Sequence, residues 1–205
     1  MKKIMYSDRY GLTEAVLSGQ KTMTRRIIKC PGSFNGIEVC GFHKYTNKKG
    51  EWYTALYDED ERDIDNSCLC PKYDIGEKVA IAQSYNVIFD EMNTGKYNYD
   101  LYENYRQLAM GMDLAGNKNK MFVRADLMPH HIITTGVRVE HLQDISNEDC
   151  LKEGINYLDD MGYTVANEVF HTPKEAFAYL INKICGKDTW ELNPLVGAYE
   201  FKLED

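Results

Sequence analysis

The chain contains no apolar run that approaches the span of a bilayer, so no membrane-spanning helix is expected. Its first residues, Met1-Lys2-Lys3-Ile4-Met5-Tyr6-Ser7-Asp8, lack the apolar core of a secretory signal before charge returns. The expected location is cytoplasmic. An excess of basic residues is also missing: Lys and Arg number 24 against 32 Asp and Glu, a net charge of −8. That balance excludes a protein that coats nucleic acid nonspecifically, because such proteins carry a footprint of clustered Lys and Arg. It leaves room for one small basic pocket. Among the six cysteines no pair has the two-residue spacing of a common zinc knuckle: Cys68 and Cys70 enclose one residue, and Cys30, Cys40, Cys150 and Cys185 are scattered. No metal is expected, and the thiols of a cytosolic chain are reduced, with buried ones acting as small hydrophobes. At 205 residues the chain is expected to be one domain with an adequate core.

What is present is concentrated in Ser18-Gly19-Gln20-Lys21-Thr22-Met23-Thr24-Arg25-Arg26. Before it, Leu12, Ala15 and Val16 share one face of a short helix, and Gly19 suits the left-handed residue that ends one. From Thr22 the residues Thr-Met-Thr-Arg-Arg-Ile-Ile read as a strand, uninterrupted until Pro31. By residue chemistry alone, Lys21, Arg25 and Arg26 suit a solvated basic edge, Lys21 complementing the negative end of the helix. The same cluster also has the makings of a site, with amine and hydroxyl groups within a few residues.

Gly19-Gln20-Lys21-Thr22-Met23-Thr24 resembles the Gly-x-Lys-Thr-x-Thr signature of the ASCH domain family, a branch of the PUA-like β-barrels associated with RNA. Small bacterial enzymes of that family hydrolyse the acetamide of N4-acetylcytidine with a lysine, a threonine three residues later and a distant glutamate. The resemblance implies catalytic roles for Lys21, Thr24 and Glu153. Glu153 matches the family pattern in which a "Leu-x-x-Ile-Ser" strand exit, here Leu142 to Ser146, leads to a short helix ending in the functional glutamate. Asp74-Ile75-Gly76-Glu77 is similar to the family's turn before a strand that ends near the ligand, which implies substrate contacts from Gln83, Ser84 and Tyr85. Read without the family, these three are ordinary polar groups at a strand end. Arg25 and Arg26 complete the expected binding set. Asn193-Pro194-Leu195-Val196 resembles the entry to the closing strand, with Leu195 where an aromatic is usual.

The remaining pattern is consistent with an α+β chain, and the resemblance implies a PUA-like, mostly antiparallel barrel with flanking helices and insertions at about 30–70, 86–118 and 156–190. Strands are expected at 3–6, 78–82, 121–125, 132–142 and 195–203, with a hairpin over 37–57. A tyrosine stripe, with Tyr97, Tyr99, Tyr102 and Tyr105, suggests a helix face that packs or stacks on bases. His130-His131 reads as a solvated loop, since adjacent residues of an extended chain point apart. Ser146 is a natural helix cap. Glu153, at that helix's C-terminal end, is poorly placed against the dipole. Thr172-Pro173-Lys174-Glu175 starts a second helix, with Ala176, Phe177, Leu180, Ile181 and Ile184 as its buried stripe. The functions these features point to are an amidohydrolase acting on an acylated nucleoside or modified RNA base, without a cofactor, or a noncatalytic module binding a nucleoside or single-stranded RNA. Double-stranded DNA is not an expected partner.

Overall fold

The computed structural model describes residues 1–46, 48, 52–65, 72–93, 103, 106, 115–159 and 161–204. In chain order, β1 (Lys2–Ile4) leads to α1 (Leu12–Leu17) and β2 (Met23–Ile27). A small hairpin, β3 (Ser33–Phe34) and β4 (Ile37–Glu38), precedes β5 (Gly41–Thr46), β6 (Trp52–Tyr57) and β7 (Asp63–Asp65). Then come β8 (Lys78–Ile81), α2 (Tyr85–Met92), β9 (His131–His141) and α3 (Asn147–Lys152). The chain ends with β10 (Asn156–Leu158), β11 (Gly162–Val165), β12 (Glu168–Phe170), α4 (Pro173–Cys185), α5 (Thr189–Leu192) and β13 (Leu195–Glu204).

The fold is mixed α+β. Its main sheet has the order β1-β8-β9-β13-β2. The β1–β8 pair is parallel and the other three are antiparallel. The expected hairpin is the β5–β6 ladder, Gly41 opposite Tyr57. The expected barrel is not closed among the described residues. Closure needs a continuous ladder between the two edges, and β1 is only three residues long. Where the ladder would run, the Arg26 Nη2 donates to the Met5 carbonyl at 2.6 Å. A side chain bridges the seam, and a cleft opens beside it.

The α4 helix covers the sheet as its sequence requires. Thr172 Oγ1 accepts from the Glu175 amide and the Glu175 carboxylate accepts from the Thr172 amide, a reciprocal cap with Pro173 in the first turn. Ala176, Phe177, Leu180 and Ile181 join the main core with Ile4, Val16, Val79, Ile155 and Phe201. Ile184 departs from the expected stripe: it is 40% exposed, because the last turn of α4 stands over the cleft and not over the sheet.

The expected strand at 121–125 is instead two 3-10 turns, Lys120–Phe122 and Ala125–Leu127. The Asn119 side chain accepts from the Met121 amide and turns the backbone locally, while Val123 seats in a second core with Ala82, Ile88 and Met128. His130 is no solvated loop residue either, since it is partly buried 3.6 Å from Glu91, and His131 opens β9. Tyr97, Tyr99, Tyr102, Tyr105, Cys68 and Cys70 lie outside the described residues. Of the described cysteines, Cys150 alone is buried, and burial pushes its thiol up to about 12. Among the described residues no helix is long and apolar enough to cross a membrane.

Candidate functional site

The site begins with the end of a helix. Gly19 adopts φ +76°, the left-handed conformation expected of it, and its amide donates to Val16 while the Lys21 amide reaches back to Ala15 at 2.7 Å. The Thr22 amide donates to the Lys152 carbonyl at 2.9 Å. These bonds hold Lys21 in the turn ahead of β2, so its side chain is released from the alternation of the strand. It turns inward and is 2% exposed.

The second part comes from α3. Ser146 Oγ accepts from the Asp149 amide, and the helix ends at Glu153. Gly154 follows with φ +98°, and a Cβ built there would lie 3.3 Å from Leu12 Cδ2 and 3.6 Å from Lys21 Cδ. Glycine therefore serves two needs at once, the left-handed turn and the close approach to the lysine stem.

These turns bring together groups 132 residues apart: Lys21 Nζ donates to Glu153 Oε2 at 2.6 Å and to the Glu153 carbonyl at 2.7 Å. The other carboxylate oxygen accepts from Arg25 Nη1 at 3.1 Å. Arg25 also binds Glu140 through Nε and Nη2, at 2.8 and 2.6 Å, and Asp149 at 2.9 Å. Arg138 bonds to the same Glu140 and Asp149 from the solvent side, and to Glu200. Register explains the meeting of the two arginines: Ala198 of β13 pairs with Arg25 on one side and Arg138 on the other, and a methyl side chain leaves room for both. A carboxylate at a helix C-terminus is repelled by the dipole. Two cations offset that cost for Glu153.

Burial lowers the pKa of Lys21 from 10.5; the Glu153 charge and hydrogen bond oppose the shift, while Arg26 and Arg25 add to it. Lys21 thus loses its proton more readily than an exposed lysine. Burial also works against the Arg25 charge, but Glu153, Glu140 and Asp149 outweigh it and raise the arginine's pKa further. Arg25 is a fixed cation of the scaffold, and Lys21 is the group able to exchange a proton.

A cleft of about 350 Å³, within the size range of small-molecule sites, is lined by Lys21, Thr24, Arg25, Arg26 and Glu153. Thr24 and Arg26 project from the same face of β2. The far wall is apolar: Phe177, Leu180, Ile181 and Ile184 of α4. Among the described residues Lys29 makes four cationic side chains on the lining against the single carboxylate of Glu153, so the acidic protein does carry a basic pocket.

Gln83, Ser84 and Tyr85 do not line this cleft. Gln83 and Ser84 line another, beside Asp8, Thr13 and Glu14. Ser84 caps α2, and Tyr85 is buried in the second core with its hydroxyl accepting from the Arg124 amide. The chain leaves β8 in a direction that carries them to the opposite side of α1. Tyr6, which nothing in the sequence singles out, lines the cleft with Arg26 Cζ 5.6 Å and Lys21 Nζ 6.0 Å from its ring centroid. The scaffold of Glu140, Asp149 and Arg138 is likewise a product of the fold. The alternating charges of β9 were the available signal for Arg138 and Glu140, but nothing local to Tyr6 marks it. No protein-family model, curated protein or solved structure matches this chain, so the site rests on its own geometry.

Proposed function

We propose that the chain is an ASCH-type, PUA-like amidohydrolase that removes the acyl group from an N4-acetylcytidine-like nucleoside or RNA base in the cytoplasm. The observation that carries this reading is the buried Lys21–Glu153 pair on the wall of a cleft that also holds Thr24. A threonine hydroxyl is a weak nucleophile until a base takes its proton. A neutral lysine amine has two N–H donors and one lone pair. Glu153 accepts from both donors, at its carboxylate and its carbonyl, which leaves the lone pair as the base for Thr24.

In the proposed reaction the Thr24 proton passes to Lys21 Nζ as Oγ1 bonds to the acyl carbon and the carbonyl oxygen takes up the electron pair. Collapse breaks the bond from carbon to N4, and the departing amine takes that same proton back from Lys21. Water then cleaves the threonine ester, giving acetate and cytidine. Arg25 keeps Glu153 oriented through its fixed charge.

The test is incubation of purified protein with N4-acetylcytidine and chromatographic detection of cytidine. Turnover is expected, rising with pH as Lys21 loses its proton. Alanine at Lys21 or Thr24 should abolish it, and the double variant should be little worse than either single one. Nucleoside binding without turnover would instead favour a noncatalytic RNA-binding module.

A further inference from the structure

Two hydrogen-bond donors at the cleft have no hydrogen-bond partner among the described residues. The Tyr6 hydroxyl and the Arg26 Nε–H are both buried and make no hydrogen bond among the described residues, although Tyr6 is only 4% exposed. Buried polar groups in folded proteins nearly always find a partner, and an unmet one destabilises the fold. The two are neighbours, since the Arg26 guanidinium lies 5.6 Å from the Tyr6 ring centroid. Arg26 is held in place by the bond from Nη2 to the Met5 carbonyl, one residue from Tyr6. That bond also joins the two edges of the open sheet. The donors come from opposite sides of the seam: Tyr6 from the chain leaving β1, Arg26 from the face of β2 that also carries Thr24.

We propose that the Tyr6 hydroxyl and Arg26 Nε–H form a two-donor site for the acyl carbonyl oxygen of the substrate, a proposal that rests on the amidohydrolase reading. One donor is neutral and the other charged, and a carbonyl oxygen with two lone pairs accepts from both. When Thr24 Oγ1 bonds to the acyl carbon, the π electron pair of the carbonyl moves onto this oxygen, and donors already in place need no rearrangement to meet the charge. The apolar wall of Phe177, Leu180 and Ile181 lowers the polarity of the same space, which strengthens both bonds. Burial drives the pKa of the Tyr6 phenol well above its ordinary value, with the Arg26 charge opposing. The hydroxyl therefore stays protonated and is a donor throughout the working pH range.

The experiment compares wild type with Tyr6→Phe by thermal unfolding, by kinetics and by binding. Among the described residues the hydroxyl makes no hydrogen bond, so Tyr6→Phe should unfold at the same temperature or higher. A lower midpoint would show that the hydroxyl has a structural partner, and the proposal would fall. Turnover of N4-acetylcytidine should drop by about 100-fold to 1,000-fold, with KM changed far less than kcat. Undiminished kcat in Tyr6→Phe overturns the two-donor site while leaving the hydrolase reading intact.

Binding separates the two ideas in the other direction. Thr24→Ala protein is titrated with N4-acetylcytidine and with cytidine, which lacks the acyl carbonyl. Tighter binding of the acetylated nucleoside, lost when Tyr6→Phe is added, supports the site whether or not the wild type turns over. Equal affinity for both nucleosides, or a preference that survives Tyr6→Phe, refutes it.

Discussion

Replacing Glu153 with glutamine retains the side-chain volume and one acceptor oxygen and removes the charge facing Lys21. The consequences for the two cations are unequal. Among the described residues Lys21 has one ion-pair partner, Glu153, whereas Arg25 keeps Glu140 and Asp149. Removing one member of a buried pair costs about 3–5 kcal/mol, and the remaining amide oxygen returns about 1 kcal/mol as a hydrogen bond. The expected loss is about 2–4 kcal/mol near neutral pH.

The pH dependence identifies the origin of that loss. Lys21 already has a pKa below 10.5 because of burial, and without the opposing Glu153 charge it falls further. Between its folded value and 10.5 the unfolded state binds more protons than the folded state. Stability therefore rises with pH in this window, by about 1.4 kcal/mol per pH unit. The variant enters the window at lower pH than the wild type, so the gap between them narrows as pH rises. Urea unfolding at about pH 6 and about pH 10 measures both gaps. Equal losses at the two values would falsify the idea that a stranded lysine charge is responsible and point to packing instead.

Two further substitutions probe the supports of the site. Gly154→Ala should destabilise by more than about 1 kcal/mol, because φ is +98° and the new methyl meets Leu12 and the Lys21 stem; turnover should fall in protein that calorimetry still finds folded. Thr172→Ala removes one half of the reciprocal cap of α4 and should cost about 1 kcal/mol in chemical denaturation, leaving kcat unchanged because Thr172 is absent from the cleft lining.

Local signals in the sequence determined the pieces of this protein. Gly19 ends α1, Ser146 and Thr172 start α3 and α4, and the alternation at 132–142 and 195–203 marks the two long central strands; each depends on residues within one or two turns of chain. Val123 shows the limit of such signals, since the apolar residues around it suggest a strand while Asn119 and the second core impose turns. The position of Lys21 ahead of β2 was also legible, because a helix stop and the start of a strand leave only a turn for it.

Tertiary structure alone decided which pieces meet. Ala198 lets Arg25 and Arg138 lie side by side because of the register of three strands distant in sequence. The family resemblance implies that Gln83, Ser84 and Tyr85 contact the substrate, yet the path of the chain after β8 carries them away from the Lys21 cleft. Tyr6 reaches the cleft because the edges of the sheet approach each other without pairing. A strand's sequence sets which side chains share a face. It does not encode which edge will lie across the gap, because that depends on the twist and packing of the whole sheet.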